Sequence, residues 1–153
     1  MGSNPGVQGG GNFSEQVVVK VKDAATQAII PPAVQTATFN SEKFQALGAN
    51  ALLTNFNVGA IGSGGNFTAK LKCSDTKAGT YAYLDDTNAA YGSSQSAAGA
   101  IGTANTDVTL FTDLRVTDNR WFYWELTLVS GTSVLFGATV VAAAFDTLPG
   151  SGN

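Results

Sequence analysis

Apolar and polar positions alternate along most of this chain, most cleanly at Asn66–Cys73. There Phe67, Ala69, Leu71 and Cys73 point one way, and Asn66, Thr68, Lys70 and Lys72 the other. A period of two over eight residues predicts a half-buried strand. Upstream, Leu52, Phe56, Val58 and Ala60 are set against Asn55 and Asn57, with Gly62-Ser63-Gly64-Gly65 between the two runs. Two strands around a glycine turn predict a hairpin. The same signals predict a second hairpin from Arg120 to Val141. In its first arm Phe122, Trp124, Leu126 and Leu128 oppose Trp121, Tyr123, Thr127 and Val129. After Ser130-Gly131-Thr132, Val134, Phe136, Ala138 and Val140 oppose Leu135, Thr139 and Val141. Both arms carry apolar residues on both faces, so the hairpin needs one covering from its own domain and a second from elsewhere.

The rest of the chain supplies shorter signals. Gln16–Lys22 alternates valine with valine and lysine and predicts a strand. Pro31-Pro32 excludes a central strand and predicts an extended connector. Residues 39–48 read as a loop or edge segment, Tyr81–Leu84 as a short strand, and Thr106–Leu114 as another, with Leu114–Thr117 a candidate extension. Asn88–Ala104, almost wholly Ala, Gly, Ser, Asn and Thr, reads as a long loop. No segment sustains a 3.6-residue apolar repeat. The expected fold is all-β: a jelly-roll-like β-sandwich over residues 16–146, with a flexible glycine-rich arm at 1–15 and a tail at 147–153.

Composition narrows the function. Charged residues are 12% of the 153, and the formal charge is −3. The eight basic residues are dispersed, which argues against a nucleic-acid partner. The longest apolar run, Ala138–Phe145, is too short to span a bilayer, and no secretory signal is visible at the amino terminus.

Chemistry finds little to work with. There is no histidine, the commonest general base and metal ligand. The single cysteine, Cys73, falls on the apolar side of its strand and reads as a buried, inert thiol. Asp85 and Asp86 are adjacent and read as turn formers. With Asp75 and Asn88 they could offer oxygens to Ca²⁺, but without the spacing of a defined loop. Asp113, Asp118 and Asn119 bracket Arg115 and Arg120, which suggests ion pairing, and Arg120 could stack on Trp121 or Tyr123. No phosphate loop, nucleophile pair or metal cluster stands out, so the chain reads as a non-enzyme without cofactor or metal.

With those residues in view, the chain resembles the capsid decoration (cement) proteins of tailed bacteriophages, especially the Bbp16-like group. The resemblance lies in Asn66–Asp75 as the second strand of a glycine-flanked hairpin and in the Thr- and Asp-rich loop after it. It ends with the Arg-aromatic strand, Ser-Gly-Thr-Ser and apolar last strand of Arg120–Val141. It covers about Gly48 to Phe145. Trp121-Phe122-Tyr123-Trp124, the Ala/Gly/Ser loop and the extended arms depart from the group's pattern. The resemblance implies a jelly-roll homotrimer, made in the host cytoplasm, that clamps the major capsid protein on the exterior of the virion. Trp121, Tyr123, Leu135 and Val141 are then the expected subunit or capsid contacts, with Phe13 anchoring the amino-terminal arm. The alternative is a carbohydrate-binding β-sandwich module that presents Trp and Tyr to a sugar, with Asn55, Asn57 and Asp86 as hydrogen-bonding partners.

Overall fold

The structure, a computed structural model, describes residues 21–90 and 94–145. The predicted arm at 1–15 with Phe13, most of the Gln16–Lys22 strand, and the tail at 147–153 lie outside the described residues. Among the described residues ten strands follow in order: β1 (Val21–Gln35), β2 (Phe39–Asn40), β3 (Phe44–Gln45), β4 (Ala51–Gly62), β5 (Asn66–Ser74), β6 (Ala82–Tyr83), β7 (Ala97–Ile101), β8 (Asp107–Asp113), β9 (Trp121–Ser130) and β10 (Ser133–Phe145). One antiparallel sheet has the order β1-β10-β4-β8. The other runs β2-β9-β5-β6, with β3 also on β9 and β7 also on β5. Taking β2 with β3 and β6 with β7 as single positions, the chain fills eight places. The first pairs with the eighth, the second with the seventh, the third with the sixth and the fourth with the fifth. That is the order of a jelly roll, and the all-β sandwich expected from the alternation is what forms.

Neither predicted hairpin is one. β4 pairs with β10 and β8, and β5 with β9, β6 and β7, so the two arms around Gly62–Gly65 lie in different sheets. β9 and β10 are likewise split. Alternation tells which residues face inward but not which sheet the strand joins. Each glycine cluster instead turns a corner of the sandwich, and the inner faces of its two arms meet across the core.

The two corners sit on one another. Gly62 O accepts from Gly65 N at 3.0 Å and from Thr132 N at 3.2 Å, and Ser130 Oγ donates to Gly64 O at 3.2 Å. Gly131 has φ +74°, and a Cβ there would run into the backbone of Gly64 and Gly65. Gly64 has a similar φ of +70° but open space around it.

Three further expectations are corrected. Pro31-Pro32 lies within β1 and not in a connector. β1 is an edge strand, and its register with β10 breaks between Ile30 and Ala33, where two residues without N–H donors are tolerated. The loop at 88–104 contains β7, which pairs with β5 through Phe67↔Ile101 and Ala69↔Ala98. Leu114–Val116 is not an extension of β8 but a 3₁₀ turn, because the Asp113 carboxylate accepts the Arg115 N–H and bends the chain away.

The core is aromatic. Phe136 of β10 meets Phe67 of β5 at 5.3 Å, Phe39 of β2 at 5.8 Å and Phe56 of β4 at 6.4 Å between ring centroids. Trp124 packs edge-on to Phe56 at 5.4 Å, and its indole N–H donates to Thr54 Oγ1 at 3.0 Å in a fully buried bond between the sheets. Cys73 is buried as expected, its sulfur accepting from Asn119 Nδ2 at 3.3 Å.

Two stability predictions follow from these contacts. Gly64→Ala should cost about 1–3 kcal/mol, the left-handed φ alone. Gly131→Ala should cost clearly more, because the corner beneath it must also shift; paired urea melts read the difference. Thr54→Val keeps the shape and adds apolar surface, yet it should lose about 1–3 kcal/mol because the Trp124 N–H is left buried without an acceptor. A melt equal to that of the parent would show that the indole has found another partner.

Candidate functional site

The sandwich has two outer faces, and they differ in chemistry. On the sheet containing β9 and β5, the outward row across three strands is Tyr123–Lys72–Tyr83, and the next is Glu125–Lys70. Trp121 precedes them on β9. Tyr81 enters from the segment before β6, Lys43 from between β2 and β3, and Lys77 from the turn after β5.

These side chains form one network. The Tyr81 and Tyr123 rings lie 4.8 Å apart. Lys72 Nζ sits over Tyr83 at 4.7 Å and over Tyr123 at 5.9 Å, and Lys70 Nζ over Tyr83 at 5.1 Å. Lys43 Nζ covers Tyr81 at 4.6 Å, and Lys77 Nζ covers Trp121 at 5.5 Å. The expected stacking of Arg120 on Trp121 or Tyr123 is replaced by this lysine. Arg120 instead donates to Thr117 O at 3.1 Å and Asn119 O at 2.7 Å.

Glu125 is the network's counter-charge. It accepts from Tyr83 Oη at 2.6 Å and Lys72 Nζ at 3.0 Å. The hydrogen bond from Tyr83, then that from Lys72, holds its carboxyl below the usual range. The same carboxylate raises Lys72 and Tyr83, while burial raises Tyr81. Trp121 and Tyr123 are half-buried beneath this lysine canopy, and Tyr83 stays 53% exposed.

The opposite outer face is almost uncharged. Its rows read Thr26–Val141–Leu53–Phe111 and Ala28–Thr139–Asn55–Thr109. Asn57 donates to Asn55 Oδ1 at 2.6 Å, and Asn55 to Thr109 Oγ1 at 2.8 Å. Leu135, 36% exposed, pairs with exposed Val34 and lies over Gly59, beside a shallow apolar groove of about 230 Å³ that Pro32 and Gly137 also line.

The four expected contact residues that lie among the described residues therefore fall into two groups. Trp121 and Tyr123 share the lysine face. Leu135 and Val141 share the neutral one, with the thickness of the sandwich between the pairs. Sequence reasoning missed Tyr81, Tyr83 and the four lysines. Lys70 and Lys72 were legible as outward residues, but nothing in their spacing linked them to Tyr83 or to β9.

Most of the other carboxylates weighed for chemistry are tied up in local structure. Asp85 accepts from the Thr87 hydroxyl at 2.7 Å and backbone N–H at 3.0 Å, which lowers its pKa. Asp86 accepts from Ser94 and Ser96, each at 3.0 Å. Asp113, 0% exposed, is held by Arg115 Nε and a terminal guanidinium nitrogen, each at 2.8 Å, and this bond raises the guanidinium's pKa further. No group of three metal-ligating side chains occurs among the described residues. The proposed sugar ligands do not assemble either: Asn55 and Asn57 lie on the neutral face, away from Trp121 and Tyr123, and Asp86 already serves two serines.

No family model matches the chain, and no curated protein does. Among solved structures it is similar to the SPBc2 prophage-derived protein YomS, at 14% identity and a TM-score of 0.48 over 82% of this chain and 99% of that one. It is also similar to a family two carbohydrate esterase from Cellvibrio japonicus, at 11% identity and a TM-score of 0.34 over 83% of this chain and 36% of that one.

Proposed function

We propose that this chain is a structural virion subunit, a capsid decoration (cement) protein that docks on the exterior of a phage head and braces its major capsid protein. The observation that carries the reading is the lysine–aromatic face. Four rings stand on or beside the central strands of a jelly roll, half-buried or exposed and in reach of solvent. Tyr and Trp on a rigid sheet supply large contact area at little entropic cost, which is what an interface needs at its centre.

Docking by this face leaves the neutral face for contacts between copies, and we assign Leu135 and Val141 to a homotrimer there. Its small side chains satisfy one another and bring almost no charge to bury. An isologous contact through the lysine face would instead set like charges together. A carbohydrate platform fits less well, because the ring faces a sugar would stack on carry lysine heads at 4.6 to 5.9 Å.

Light scattering of the purified protein at two concentrations should give a trimer, and Val141→Asp should shift it toward monomer. Tyr123→Asp should leave the trimer and the circular dichroism spectrum intact. The same variant should weaken co-sedimentation with heads built from the phage's own major capsid protein by about thirtyfold, the scale of a hot-spot residue. A parent protein that never sediments with those heads would sink the decoration reading. Wholesale unfolding of Tyr123→Asp would place Tyr123 in the core.

A further inference from the structure

We infer that the lysine–aromatic face binds a carboxylate-bearing protein surface, with Lys43, Lys70 and Lys77 as the charges offered to the partner and Glu125 as an internal brake on affinity. This rests on the docking role proposed above and adds the partner's chemistry. Four of the chain's six lysines meet on this one face. Four lysines less one glutamate leave its network at +3 in a chain of net −3, so the rest of the chain carries −6. Such a distribution orients an approaching acidic surface toward this face and turns it away from the remainder.

The arrangement favours carboxylates over a phosphodiester chain. A nucleic acid would meet Glu125 beside Lys70 and Lys72, and of the four cations Lys72 is already paired with it at 3.0 Å. Base stacking would need open ring faces, and the lysine heads lie over them. Separate carboxylates on a protein surface can each find one ammonium group, while the rings bury against the apolar ground between them.

The probe is a poly-glutamate peptide titrated into the ¹⁵N-labelled full chain at low salt, with oligo(dT) as its counterpart. Shifts should concentrate at the amides of Lys70, Lys72, Tyr123 and Glu125 and fade as salt screens the charges. Lys70→Gln and Lys77→Gln should each weaken poly-glutamate binding by about threefold. Glu125→Gln, which frees Lys72 and the Tyr83 hydroxyl, should tighten it. Tighter binding of oligo(dT), shifts on the neutral face, or weaker binding by Glu125→Gln would each overturn the inference. So would concentration-dependent shifts of the same amides without peptide, which would make a second copy the occupant. The peptide result is independent of head binding, so a face that takes poly-glutamate on a protein that ignores heads would fail the decoration reading alone.

Discussion

The close approach of two glycine corners is the constraint on which this fold depends. β4 and β10 are the central strands of one sheet, and β5 and β9 those of the other. The chain passes between these pairs at Gly62–Gly65 and at Ser130–Thr132, and the two passages are in backbone contact. Stacked corners make both central pairings start from one point: Ser133 pairs with Gly62 in one sheet as Asn66 pairs with Ser130 in the other. Once those registers are set, every inward residue of four strands is committed to one core, and a one-residue slip would turn them all outward. Phe136 is where that commitment is felt, since it touches rings from β2, β4 and β5.

This explains which features were legible in the sequence. The inward sets of β5, β9 and β10 are as the alternation has them: Phe67, Leu71, Phe122, Trp124, Leu126, Val134, Phe136 and Val140 are all buried. Burial of one face is a property of a single strand, and a period of two reports it. Sheet membership is a property of pairs distant in sequence, and the local signal for a corner is the same as for a hairpin. Both need small residues and a left-handed backbone, so Ser-Gly-Thr is consistent with either. β7 was hidden for another reason. Ala97–Ile101 has little strand propensity of its own, and it becomes a strand because β5 offers it an unpaired edge.

The candidate site was legible in half-measure for the same cause. Trp121 and Tyr123 stand out because a strand with apolar groups on both faces is anomalous. Their neighbours do not, because Lys43 on one side and Tyr81 and Tyr83 on the other reach the face from two short segments whose positions only the sheet order fixes. The split of Leu135 and Val141 onto the other face follows from the corner: had β9 and β10 formed a hairpin, all four residues would share one surface. The corner gives the molecule two different surfaces.

The second covering that the aromatic strand requires is supplied largely by lysines. A lysine carries a hydrocarbon stem and a charged head, so it can shield a ring while keeping its ammonium group in water. Lys72 and Lys77 do this for Tyr123 and Trp121, which are half-buried, with the Tyr81 ring packed beside Tyr123. Such a cover differs in kind from a packed core. Its contacts are cation–π interactions of modest strength at exposed sites, about 0.5–1 kcal/mol each. The rings, by contrast, stand on or beside central strands whose register the core enforces. A surface built this way resists self-association through charge yet holds its rings in place for a partner that can engage the ammonium groups. The rest of the chain, at a net −6, sharpens the contrast.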